Sequence, residues 1–142
     1  MSCNICADVE HKVEFYDVDS MDVVWHGNYV KYFEKARCAL LDKIGYGYKH
    51  MREDGFAFPV TSLKIKYIRT LFFHQEVMIR AELLEYENRL KIQYFIYDKK
   101  SMELTTKGES IQMAFDMSRK ESCFDCPTRL VEQVRKISGE NR

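Results

Sequence analysis

"NYVKYFEKARCALLDKIG", residues 28–45, is the stretch on which the fold turns. Tyr29, Phe33, Ala36 and Leu40 fall at i, i+4, i+7 and i+11, with Tyr32, Leu41 and Ile44 widening the stripe. One broad face of a helix from about Asn28 to Ile44 is therefore apolar. Asn28 suits the N-cap, because its side-chain oxygen can accept from an orphan backbone N–H, and Gly45 suits the C-terminal stop. Much of such a helix is buried, so the rest of the chain must supply an apolar surface for it.

That surface lies downstream. From Phe56 the hydrophobic period changes to two and stays there, the mark of a sheet with one covered face. Four strands are expected, in "TSLKIKYIRT" (61–70), "EVMIRAELLEY" (76–86), "RLKIQYFIYD" (89–98) and "ELTTKGESIQMAFDM" (103–117). Their short connections predict antiparallel meander pairing. Upstream, His11, Val13 and Phe15 alternate with Lys12 and Glu14, predicting a first strand over 10–16. Near the end, Pro127 suits the first turn of a helix whose apolar face is Leu130, Val131 and Val134. Strand, long helix, four strands and small helix fit an α+β architecture, a five-stranded antiparallel sheet wrapped around one long central helix. Such a layer leaves strand edges open, and edge-to-edge dimerisation would cover them.

Composition narrows the function classes. The 142 residues suit one domain, with a core over about 10–136. Lys plus Arg and Asp plus Glu are 22 each, so no net field draws the chain to nucleic acid or an anionic membrane, although a local basic patch could bind a phosphorylated ligand. No segment has the apolar length of a transmembrane helix. "MSCNICADVEHK" lacks the hydrophobic run of a signal peptide, so a cytoplasmic location is expected. Of five cysteines, Cys3/Cys6 and Cys123/Cys126 form two C-x-x-C pairs that could together supply four thiolates to zinc. Most of the chain separates them, and inert thiols are the simpler reading, with a redox role behind both. Cys38 reads as a small core residue. No metal and no cofactor are expected.

The chemistry concentrates in "FYDVDSMDVVWHGNYVKYFEKAR", residues 15–37. Two carboxylates one residue apart on an extended segment point in opposite directions, so Asp17 and Asp19 cannot both face one site. Acids before a helix commonly cap it or complement its dipole, which leaves a catalytic role open on the residues alone.

"DVDSMDVVWHGNYVKYFEKAR", with "YIRTLFFHQEV" some residues on, resembles the 4-hydroxybenzoyl-CoA thioesterase family of the hot-dog fold, and within it the small bacterial acyl-CoA thioesterases. Their pattern is roughly D-x-D-x-x-G-x-V-x-H/Y-x-x-Y followed by a helix ending in E-x-A-R. The resemblance implies an acyl-CoA thioesterase. The second Asp of D-x-D, the family's catalytic carboxylate, maps to Asp19, and the aromatic-or-His position maps to His26. A backbone amide at the helix entrance is the family's oxyanion donor. Where the family has Gly this chain has Asp22, a residue type that tolerates left-handed backbone better than most.

Thioester hydrolysis asks for the same parts: a group that activates water or attacks directly, and donors aimed at the oxyanion. Asp19 is assigned as general base or nucleophile, the His26 side chain as a catalytic partner that donates to the acyl carbonyl or orients Asp19, with a pocket contact or a packed loop residue as the alternatives, and the His26 amide as oxyanion donor at the positive end of the helix. Asp17 is assigned to structural bonding. Trp25, Asn28, Tyr29, Lys66 and Arg69 are the candidate substrate contacts. For the phosphates of CoA the cation candidates are Lys64, Lys66, Arg69, Arg119 and Lys120. Glu34 is either a second carboxylate or, more simply, an ion-pair partner of Lys31, Lys35 or Arg37. His11, His50 and His74 show no ligand spacing and receive no role. The rival readings are an acyl-carrier-protein thioesterase and a non-catalytic acyl-binding protein. A homodimer or homotetramer with the acyl pocket at the subunit interface is expected.

Overall fold

In the computed structural model, which describes residues 5–139, the chain begins with β1 (Cys6–Lys12) and a 3-10 turn (Phe15–Asp17). Helices α1 (Asn28–Ile44) and α2 (Tyr48–Glu53) follow. Then come β2 (Phe56–Ala57), β3 (Val60–Tyr67), β4 (Glu76–Glu85), β5 (Leu90–Asp98), β6 (Leu104–Gln112), β7 (Phe115–Asp116) and β8 (Glu121–Ser122), and last α3 (Thr128–Ser138). Five strands form one antiparallel sheet in the order β1-β4-β5-β6-β3. Its inner face closes on α1.

Period-two patterning accounts for that face. Val77, Ile79, Ala81 and Leu83 on β4, and Leu90, Ile92, Tyr94 and Ile96 on β5, are fully buried. They meet Tyr29, Tyr32, Phe33, Ala36, Leu40, Leu41 and Ile44, which are all buried on α1. Phe33 stacks on Tyr94 with ring centroids 4.5 Å apart. The ring has room because β6 carries Gly108 there, where a Cβ would stand 2.4 Å from a Phe33 ring carbon. α1 ends at Gly45, whose φ of 88° places it in the left-handed region that glycine accepts.

Four expectations are corrected. The first strand lies at Cys6–Lys12, four residues earlier than the period suggests. Val13 still pairs with the Gln75–His74 backbone, but the chain then turns at Glu14, whose N–H is held by the Asp17 carboxylate, and Phe15 is left exposed. The meander holds only for β4-β5-β6. β3 pairs with β6 at the far edge, because its link to β4 is no hairpin: Leu71 is drawn into the core and Val24 and Phe73 tie the link to the acidic loop. Gly27, not Asn28, caps α1, and Pro127 precedes α3 as its cap instead of entering its first turn.

α2 and β8 are too short for periodicity to register, and the strand expected over 103–117 is broken into β6 and β7, the latter pairing with β2 and β8 in a small second sheet. Among the described residues no helix is long and apolar enough to cross a membrane.

Candidate active site around Asp19

The acidic segment folds into a closed loop laid against the start of α1. Val18 and Val24 form an antiparallel bridge, and the Asp19 N–H donates to the Val23 carbonyl at 2.9 Å. At the tip, the Asp22 N–H donates to the Asp19 carbonyl at 3.0 Å, and Asp22 has a φ of 62°. Asp22 thus adopts the left-handed backbone that glycine takes more readily, so the turn keeps its shape with a different residue. Val23 bridges to Phe72, anchoring the loop to the segment after β3.

Asp17 and Asp19 are separated as the alternation argument required, although the backbone does it by another route. Asp17 closes the 3-10 turn and faces inward. One of its carboxylate oxygens accepts from His11 Nε2 at 2.9 Å, the Tyr32 hydroxyl at 2.9 Å and the Glu14 N–H at 3.0 Å. Lys35 Nζ lies 3.0 Å from His11 Nδ1. An ammonium can only donate, so Nδ1 accepts and Nε2 carries the proton given to Asp17. Burial pushes the Asp17 carboxyl up, but its three donors outweigh that and hold it below the ordinary carboxylate value. His11, which showed no ligand spacing, therefore has a structural part. Burial, then the Asp17 carboxylate, raises Tyr32 far above an ordinary phenol.

Asp19 is exposed. Its Oδ1 accepts from the Met21 N–H at 2.8 Å, and Oδ2 has no partner among the described residues. The side chain lines a cleft of about 310 Å³ together with Trp25, His26, Tyr29, Tyr67, Ile68 and Arg69. The N–H groups of His26 and Gly27 have no acceptor among the described residues, and they stand at the positive end of a 17-residue helix. Trp25 lies 5.1 Å from the His26 ring and folds over Gly27, where a Cβ would collide with the indole at 2.2 Å.

Of the expected site residues, Asp19, Trp25, His26, Tyr29 and Arg69 converge on this cleft. Asn28 is buried and gives its amide to the Asp17 carbonyl at 2.8 Å, which fixes the loop to α1. Lys66 lies in a separate groove with Lys64 and Lys107. Arg69 pairs with Glu103 at 3.1 Å. Arg119 pairs with Glu121 at 3.6 Å, and neither it nor Lys120 lines the cleft. Glu34 approaches Arg37 at 3.9 Å, the ion-pair reading. Arg37, the end of E-x-A-R, is buried and donates to the Tyr48 hydroxyl at 3.0 Å, tying α1 to α2. Tyr67, Ile68 and Thr70 line the cleft without having been singled out. The sequence reading placed them inside the strand expected over 61–70, whereas β3 ends at Tyr67 and the chain leaves the sheet there.

Cys3 lies outside the described residues. Among the described residues no group of three or more His, Cys, Asp or Glu gathers as a metal site would. Burial pushes the Cys126 thiol up to about 12.

An antiparallel sheet around one helix, with an acidic loop at the helix entrance, defines a hot-dog protein. The chain matches the model of the thioesterase-like superfamily over residues 13–135 and belongs to that family. YneP of Bacillus subtilis, a candidate acyl-CoA thioesterase, is 28% identical over 108 residues, covering 75% of this chain and 78% of the relative. The solved DHNA-CoA thioesterase of Staphylococcus aureus superposes with a TM-score of 0.81 at 24% identity, covering 96% of this chain and 95% of that one. The S. aureus protein SAV2348, solved in complex with CoA, gives 0.84 at 13% identity over 96% of this chain and 86% of its own.

Proposed function

We propose that the chain is an acyl-CoA thioesterase in which Asp19 is the catalytic carboxylate. The observation that carries this is one convergence: Asp19, with a carboxylate oxygen unpartnered among the described residues, and His26, whose backbone N–H at a helix N-terminus is likewise unpartnered among them, line one cleft. A thioester carbonyl set against the His26 and Gly27 N–H groups is polarised by them and by the helix dipole. As general base, Asp19 takes a proton from water while the water oxygen bonds to the acyl carbon. The negative charge collects on the carbonyl oxygen and returns as the C–S bond breaks. The departing thiolate receives the proton, giving CoA and a carboxylic acid. As nucleophile, Asp19 forms an acyl anhydride that water then cleaves. The His26 ring and Trp25 wall the cleft and limit bulk water.

Assembly completes the site in this reading. Among the described residues β3 has one edge free, and its inward residues Leu63 and Tyr67 are still 39% and 51% exposed. Pairing of β3 with β3 of a second copy about a two-fold axis satisfies that edge. Antiparallel pairing sets the Val60 end of one strand beside the Tyr67 end of the other. The apolar groove of about 900 Å³ that includes Met51, Phe56, Phe58 and Phe115 then adjoins the other copy's Asp19 cleft as an acyl channel. The free state of the described cysteines fits a cytoplasmic setting with its CoA pool.

The test is release of free thiol from a panel of acyl-CoA and acyl-carrier-protein thioesters. Turnover of acyl-CoA is expected. Turnover confined to carrier-protein thioesters points to the rival enzyme, and binding of acyl-CoA without thiol release to a non-catalytic protein.

A further inference from the structure

His11 holds an inward-facing position on β1, two residues beyond Val9, which packs against the core with Ala7. The strand period puts an apolar residue there. An imidazole in its place needs partners for its ring nitrogens, and it takes one from each side. Nε2 donates to the Asp17 carboxylate at 2.9 Å, and Nδ1 accepts from Lys35 Nζ on α1 at 3.0 Å. The ring is 4.7 Å from that of Tyr32, whose hydroxyl meets the same Asp17 oxygen. One strand and one helix therefore grip Asp17 together.

Asp17 is the first rung of the loop that carries Asp19. Its carbonyl accepts from the Trp25 N–H at 3.0 Å and from the Asn28 amide at 2.8 Å. The Val18–Val24 bridge and the bond from the Asp19 N–H to the Val23 carbonyl are the next rungs. Asp19 thus rises from Asp17 on one side, and His26 follows Trp25 on the other. We propose that His11 is a positioning residue for hydrolysis at Asp19, an assignment that rests on the acyl-CoA reading above: by fixing the Asp17 carboxylate it sets where the Asp19 carboxylate stands relative to the His26 N–H. Lys35 acts through it, because a donor to Nδ1 keeps the proton on Nε2, where Asp17 accepts it. His11 is not among the residues that line the cleft, so it acts without touching substrate. Its loss costs rate and spares affinity, since a displacement of ~1 Å at the reacting atoms can cost about 10²-fold.

Steady-state kinetics of His11→Ala and His11→Gln test this. In His11→Ala kcat is expected to fall about tenfold, with KM for acyl-CoA within about twofold of the parent. Gln offers a donor to Asp17 and an acceptor to Lys35 from one amide, and is expected to recover kcat to within about threefold of the parent. In an Asp19→Asn background the same His11→Ala change is expected to cost less than about twofold, because the carboxylate it aims is gone. A kcat for His11→Ala within about twofold of the parent, a Gln variant as slow as the Ala variant, or an equal loss with and without the Asp19 carboxylate overturns the proposal. Amide hydrogen exchange gives an arm that needs no turnover. His11→Ala is expected to quicken exchange at the Asp19 and Trp25 N–H groups while β4 and β5 keep the parent's rates. Exchange unchanged in the loop, or quickened equally in the sheet, also overturns it. A parent that hydrolyses no acyl-CoA removes the thioesterase reading, while exchange still decides whether His11 holds the loop.

Discussion

Asp17 is 6% exposed and gives one carboxylate oxygen to three donors, whereas Asp19, the second acid of D-x-D, is exposed and keeps an oxygen unpartnered among the described residues. The first arrangement holds a loop in place and the second offers a base. Asp17→Asn removes the negative charge that Tyr32 and His11 donate to, and a charged hydrogen-bond network of this kind is worth about 2 kcal/mol. A loss of that size at pH 7 is expected in chemical denaturation, with kcat changed far less than by a substitution at Asp19. The pH dependence has a definite sign. The folded pKa of Asp17 lies below its ordinary 3.8, so its stabilisation is complete above that value and fades as pH falls through the folded pKa. The stability gap between parent and Asp17→Asn therefore shrinks as pH falls below 3.8 and through the lowered folded pKa. A gap that is constant from neutral to acid pH contradicts this account of the loop.

Packing between α1 and the sheet depends on the missing Cβ of Gly108, which admits the Phe33 ring to its place on Tyr94. Gly108→Val forces that ring out and is expected to cost at least about 1–3 kcal/mol, the range for overpacked cores. Thermal unfolding checks it, and an unchanged Tm would mean that the helix and sheet are less closely fitted than described. Elements of this kind were legible where one local period decides them. α1 runs over the residues its stripe marks, and β4 and β5 alternate as read, because their side chains all answer to one core. Pairing was less legible. β3 belongs beside β6 and not β4, a long-range choice fixed by Leu71 and the tie to the acidic loop, neither of which has a period. In the candidate site, the D-x-D spacing and helix entrance were readable, while the bond from Asn28 to Asp17 was not, since capping propensity speaks only of the local backbone. Tyr67 and Ile68 reach the cleft through that same unforeseen placement of β3.

For the whole molecule, the edge of β3 that is free among the described residues and the part-exposed Leu63 and Tyr67 support the proposed pairing with a second copy. Light scattering at micromolar concentration is expected to give a homodimer or a homotetramer, and a stable, active monomer would remove the interfacial acyl channel. Hydrolysis is expected to survive exhaustive chelation, whereas a stoichiometric zinc whose removal abolished turnover would transfer the catalytic work from the Asp19 carboxylate to a metal held by the cysteine pairs. The central claim concerns what the assembled protein does to a thioester when Asp19 is changed. Asp19→Asn preserves size while removing basicity and charge, so folding and acyl-CoA affinity should persist while the chemical step fails. Steady-state kinetics are expected to show kcat down by at least about 10²-fold, the contribution of a positioned base, with KM little altered. A variant that turns over within about threefold of the parent, less than about 1 kcal/mol of barrier, would contradict the assignment of Asp19 as the catalytic carboxylate.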